Sequence, residues 1–107
     1  MSDIFRPVPR LSATERLIMN LLREDELFGL QLVDRSDGAL KRGTVYVTLG
    51  RMQEKGYVES RTEPLPPGAI GLPRRWYRPT AYGLRVGDAW SLAARAFAEQ
   101  ELRSGAA

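Results

Sequence analysis

Apolar residues recur along this chain at helical spacing, then at strand spacing, then at helical spacing again. Leu17, Ile18, Leu21 and Leu22 form the first stripe. They follow Ser12-Ala13-Thr14-Glu15, in which the Ser12 and Glu15 side chains can satisfy each other's backbone amides and so start a helix. A short second helix is expected from Gly29 to Arg35, with Leu30, Leu32 and Val33 for packing. Ser36-Asp37-Gly38 is the turn signal behind it.

The third helix is expected over residues 43 to 56. Val45, Leu49 and Met52, at i, i+4 and i+7, fall on one side and face a core. Thr44, Thr48, Arg51 and Lys55 also repeat at helical spacing, and the expectation is that they form the opposite, outward stripe. Gly50 inside this helix costs about 1 kcal/mol relative to alanine, and it would allow close approach of another helix or of a sugar-phosphate backbone, core packing being the expected reason. The start of the helix breaks ordinary rules. Lys41 and Arg42 stand where cations oppose the helix dipole by roughly 0.3 to 1 kcal/mol each, and neither is a good cap. Contact with phosphate explains them; so does tolerance of a small penalty at an exposed site.

Gly56 ends the helix, and Tyr57 to Thr62 read as a strand, with Arg74 to Arg78 as its antiparallel partner. Between them Glu63 to Pro73 holds Pro64, Pro66, Pro67 and Pro73 with Gly68 and Gly71, so it forms a long loop rather than ladder. Its tip is apolar, with Leu65, Ile70 and Leu72, whereas Arg61, Arg74 and Arg75 lie at its base. From Thr80, a candidate N-cap, helical periodicity resumes to about Arg103. Val86, Trp90, Ala93 and Phe97 repeat at 4, 3 and 4, a heptad-like seam flanked by alanines. So small a chain has little domain to cover so long a helix, and a subunit interface is expected there. Ser104 to Ala107 should fray.

Composition narrows the chemistry. At 107 residues the chain is one domain with a modest core, which favours a partner subunit. With no Cys and no His it lacks thiolate and imidazole nucleophiles, the usual general base and every common transition-metal ligand set except carboxylates, so no catalytic residue, metal or cofactor is expected. Glu24, Asp25 and Glu26 read as solvated charge at a helix end. No run approaches the roughly 20 apolar residues of a membrane helix, and the first residues are too short and polar for a signal peptide, so a cytoplasmic location without membrane contact is expected. The formal charge is only +3 but uneven. Between residues 41 and 78, Lys41, Arg42, Arg51, Lys55, Arg61, Arg74, Arg75 and Arg78 outnumber Glu54, Glu59 and Glu63, an asymmetry suited to a polyanion.

A helix with one apolar stripe and one stripe of Thr and Arg, leading into a hairpin with basic roots, resembles the PadR family of bacterial regulators, named for control of phenolic acid decarboxylase. The likeness covers about residues 11 to 85. It rests on Gly29, on Gly43-Thr44-Val45-Tyr46 with Leu49, Arg51 and Met52, on Lys55-Gly56-Tyr57-Val58, and on Arg74-Arg75-Trp76-Tyr77-Arg78-Pro79-Thr80 with Tyr82 and Gly83. Lys41 replaces the family's usual capping residue, Val47 replaces a proline, the wing is longer, and the tail is short. The resemblance implies a mainly α fold with a small β-hairpin, a winged helix-turn-helix whose third helix enters the major groove and whose last helix forms a two-fold dimer. Residues 1–80 would be the arm and DNA-binding domain, and 81–107 the dimerisation helix and tail.

On these grounds the chain is expected to bind double-stranded DNA as a homodimeric transcriptional regulator, with repression as its mode. The expected DNA-binding residues are Lys41, Arg42, Thr44, Tyr46, Thr48, Arg51, Lys55, Arg61, Arg74 and Arg75. The seam Val86, Trp90, Ala93 and Phe97 is expected to hold the dimer. By resemblance, a small aromatic effector is a candidate partner, with Trp90 as its contact. Two alternatives stand beside this reading: a winged-helix module that binds protein through its apolar wing tip, and an accessory protein that bends DNA.

Overall fold

The computed structural model describes residues 8–105. The first part of the arm, residues 1–7 with Pro7, lies outside the described residues, as do Ala106 and Ala107. The elements in order are α1 (Ala13–Leu22), β1 (Leu27–Phe28), α2 (Gly29–Arg35), α3 (Arg42–Glu54), β2 (Val58–Glu63), β3 (Arg74–Pro79) and α4 (Ala81–Gly105).

The start of α1 is a full capping box. Ser12 Oγ accepts from the Glu15 amide (3.1 Å) and Glu15 Oε1 accepts from the Ser12 amide (2.8 Å). Glu15 is buried, and its second oxygen takes Lys55 Nζ at 2.8 Å, which joins the start of α1 to the residue that ends α3. Burial alone would raise the Glu15 pKa. The hydrogen bonds from Lys55 and Ser12, with the Lys55 charge, outweigh it and hold the carboxyl below its ordinary value.

Three antiparallel strands form one sheet in the order β1-β3-β2, where the sequence led us to expect a two-stranded hairpin. The additional strand is only two residues long, with Leu27 opposite Tyr77 and Phe28 opposite Trp76. In the hairpin, Val58 faces Pro79, Ser60 faces Tyr77 and Thr62 faces Arg75, so these share the sheet face that carries buried Val58 and Tyr77. Glu59, Arg61, Glu63, Arg74, Trp76 and Arg78 share the other. The core between helices and sheet is built from Ile18, Met19, Leu22, Leu32, Val45, Leu49, Met52 and their neighbours.

Thr80 starts α4 as expected: its hydroxyl accepts from the Gly83 amide at 2.9 Å. The early part of the helix belongs to the same core, and Val86 is buried in it. That corrects the expected seam, because a side chain already enclosed by its own protomer has no surface left for a second one. Helical periodicity alone could not separate the two, since both kinds of contact use the same stripe. From Ser91 to Arg103 every residue of α4 is exposed, and this half projects from a molecule measuring 66 × 37 × 22 Å. The helix continues through Ser104 and Gly105, where fraying was expected.

Candidate nucleic-acid interface

Helix α3 buries Val45, Leu49 and Met52 as expected, and it also buries Thr48, whose hydroxyl donates to the Thr44 carbonyl at 2.9 Å. The expected outward stripe is therefore a flank. Successive helical residues are separated by about 100°, so Thr44, Thr48 and Arg51, each one place before a core residue, sit at the side of the core stripe rather than opposite it. The face that points away from the core holds Gly43, Val47, Gly50 and Glu54, all exposed. Val47 was not among the expected site residues, although the same helical geometry applied to the sequence would have placed it there. A Cβ built on Gly43 or Gly50 meets nothing within 4 Å, so core packing does not explain Gly50.

No side chain caps the start of α3, where Lys41 and Arg42 are both exposed. Unsatisfied amides and two cations at a helix N-terminus make a strong anion-binding end. Tyr46 is half exposed, and its ring lies over Gly29 at the start of α2, where a Cβ would come within 2.5 Å of it. This contact sets the approach of the two helices and leaves one edge of the ring at the surface.

The wing divides its cations between two faces. On the outer face Arg61 forks onto Glu26, with Nε at 3.0 Å from Oε2 and Nη2 at 2.6 Å from Oε1, and lies 5.6 Å from the centre of the Trp76 ring. The hydrogen bonds from Arg61 hold the Glu26 carboxyl below its ordinary value. Arg78 pairs with Glu59, Trp76 Nε1 donates to Glu63, and Arg74 sits 4.9 Å over the Phe28 ring. On the inner face Arg75 Nη1 donates to Ser60 Oγ (3.0 Å), which donates to Gln53 Oε1 on α3 (3.2 Å). Of the expected wing cations, Arg75 is thus the one tied to α3. Lys55 and Arg61 are already ion-paired, while Arg74 and Arg61 project from the face away from α3. The tip carries Ile70 and Leu72 almost fully exposed.

Beside the flank of α3 an open cleft of about 350 Å³ is lined by Thr44, Thr48, Arg51 and Lys55 together with Arg10 and Thr14. Arg10 precedes α1 and Thr14 lies in its first turn, and neither gave a sign in the sequence of belonging with α3. On α4 Trp90 is half buried, and its Nε1 donates to the Pro9 carbonyl at 2.8 Å. A second cleft, of about 220 Å³, runs beside it between α1 and α4, next to Met19 and Gly87. Ala93 and Phe97 are exposed. Among the described residues there is no group of His, Asp or Glu side chains suited to a metal, and no helix is long and apolar enough to cross a membrane.

Four helices with a wing are common to many regulators, so the sequence match decides the family. Residues 18–88 match the transcriptional regulator PadR-like family. The chain belongs to that family. Among solved structures, a PadR family transcription regulator from Clostridium difficile R20291 superposes with a TM-score of 0.68 at 22% identity, over 86% of this chain and 96% of that one. A PadR family regulator from Eggerthella lenta DSM 2243 gives 0.68 at 24% identity, over 82% and 77%. Bacillus subtilis PadR, solved in complex with operator DNA, gives 0.66 at 21% identity, over 74% of this chain and 47% of its own length. At these identities the structural likeness establishes the winged-helix fold, and the PadR-like chain described here spans about half of the B. subtilis protein. No curated protein matches the sequence.

Proposed function

We propose that this PadR-like chain binds double-stranded DNA in a sequence-specific manner, as a homodimer, and represses the promoters it occupies. The observation that carries this reading is the N-terminal half of α3: an uncapped helix end flanked by Lys41 and Arg42, with a bare outward face formed by Gly43, Val47 and Gly50. Such a face lets the helix backbone approach base edges closely, and Val47 offers apolar contact to a thymine methyl. Thr44 and Arg51 on the flank reach bases or the phosphates bordering the groove, and Arg75 holds the strand nearest the wing. The exposed half of α4, with Ala93 and Phe97 and the adjacent Leu92, supplies the dimer contact. Val86 is not part of it, and Trp90 reaches it only at its edge.

Selection of duplexes from a random pool tests this reading. The recovered sequences are expected to hold two inverted half-sites whose centres are about 10 base pairs, or a multiple, apart. Gly50 provides an independent check, because alanine there should act oppositely on the free and bound protein. Gly50→Ala is expected to raise the stability of the free protein by up to about 1 kcal/mol, while its methyl group stands between the helix and the groove and weakens binding. A melting temperature that rises without any loss of DNA affinity would place Gly50 outside the interface.

The exposed Ile70 and Leu72 favour one other reading, a wing that docks on protein. A recovered consensus with two half-sites would exclude it as the primary activity.

A further inference from the structure

The residues ahead of α1 are held by their backbone. Tyr57, buried where β2 begins, donates its hydroxyl to the Arg10 carbonyl at 2.8 Å, and Trp90 on α4 donates its indole N–H to the Pro9 carbonyl at 2.8 Å. Pro9 fixes its own φ and restricts Val8 before it, so this short segment has few other conformations available. The two hydrogen bonds hold the backbone at the edge of the cleft beside α3, which Arg10 lines together with Thr14, Thr44 and Arg51. Within that cleft the Lys55 charge is balanced by Glu15. Arg10 and Arg51 form no ion pair among the described residues, so they leave the cleft with two unbalanced positive charges and a pair of hydroxyls. The fold uses the Arg10 carbonyl, and among the described residues the exposed Arg10 guanidinium has no hydrogen-bond or ion-pair partner.

We propose that Arg10 is a phosphate-binding residue of the DNA interface. With Arg51, Thr14 and Thr44 it seats one backbone phosphate at the edge of the groove that α3 occupies, and Trp90 is the positioning residue that keeps it there. Two guanidinium groups and two hydroxyls are the donor set a phosphate takes up well. The inference rests on the DNA-binding reading above. It adds a physical connection from α4 to the DNA surface: whatever draws the Trp90 N–H away from Pro9 loosens the segment that carries Arg10.

The test measures affinity for the selected duplex at several salt concentrations in the wild type, Arg10→Ala, Trp90→Phe and the double variant. Arg10→Ala is expected to weaken binding roughly five- to tenfold and to make the salt dependence shallower by about one counterion per protomer, with the base preference unchanged. Trp90→Phe keeps an apolar ring but removes the donor, and is expected to reproduce part of that loss. In the Arg10→Ala background it should add nothing, because Trp90 acts on DNA only through Arg10. Equal losses from Trp90→Phe in both backgrounds would show a general structural role and overturn the positioning part. Wild-type affinity and salt slope in Arg10→Ala, alongside weakened binding by Arg51→Ala, would overturn the phosphate site and leave the DNA-binding reading standing. A wild type that binds no duplex would remove both.

Discussion

Gly83→Ala is expected to destabilise the fold by about 3 kcal/mol or more, at or beyond the upper end of ordinary overpacking. A Cβ at this position would lie 2.0 Å from the Tyr57 carbonyl oxygen and within 3 Å of the Tyr57 carbonyl carbon and Cα. Relief by rotating a side chain is not available, because the obstacle is backbone. That carbonyl also accepts the Thr80 amide (3.0 Å) and the Thr80 hydroxyl (3.3 Å), and the Tyr57 ring is buried. Accommodating one methyl group therefore means separating α4 from β2, which breaks the N-cap and opens the core around Val86. Urea denaturation is the direct measurement; a midpoint within experimental error of wild type would show that α4 can shift freely. The contrast with Gly50 is informative, since the same substitution there meets empty space.

The second large effect is expected at Phe97. This side chain is 67% exposed and stands outside the core, so Phe97→Glu should leave the fold of a protomer intact. In the proposed dimer the same position lies in the contact between the projecting helices, where a carboxylate without a partner is strongly disfavoured. Sedimentation at micromolar concentration is expected to change from dimer to monomer. Affinity for a duplex with both half-sites should fall by about two orders of magnitude or more, because the second protomer is no longer delivered with the first. A Phe97→Glu protein that remains dimeric would move the interface to another surface, the cleft between α1 and α4 being the next to examine.

Much of this molecule could be read from local sequence. The bounds of α2 follow from punctuation at both ends: Gly29 opens it, and Asp37 and Gly38 adopt the positive φ that a sharp turn after it needs. The capping box and the Thr80 cap are likewise short-range signals that the structure contains. Strand β1 was missed because two residues carry no alternation, and its pairing partners stand about 50 positions away. The roles of the cations were hidden for a related reason. Lys55 and Arg61 look like phosphate ligands in a basic stretch, yet their carboxylate partners Glu15 and Glu26 are 40 and 35 residues distant. Arg10 shows the converse, a residue whose place beside α3 depends on hydrogen bonds from Tyr57 and Trp90 to the backbone. On α3 the error was geometric rather than informational, since one residue along a helix is a quarter-turn and not a half-turn.

The salt dependence of duplex binding by the wild type and by Arg51→Ala tests the proposed DNA interface most directly. If each protomer neutralises about four phosphates, through groups such as Arg10, Lys41, Arg42 and Arg75, the logarithm of the affinity should fall against the logarithm of salt with a slope near −7 for the dimer. Arg51→Ala should weaken binding to the selected duplex by roughly 1 to 3 kcal/mol and change binding to a scrambled duplex much less. A nearly flat salt response, with Arg51→Ala indistinguishable from wild type on the selected duplex, would contradict α3 as a DNA-reading helix.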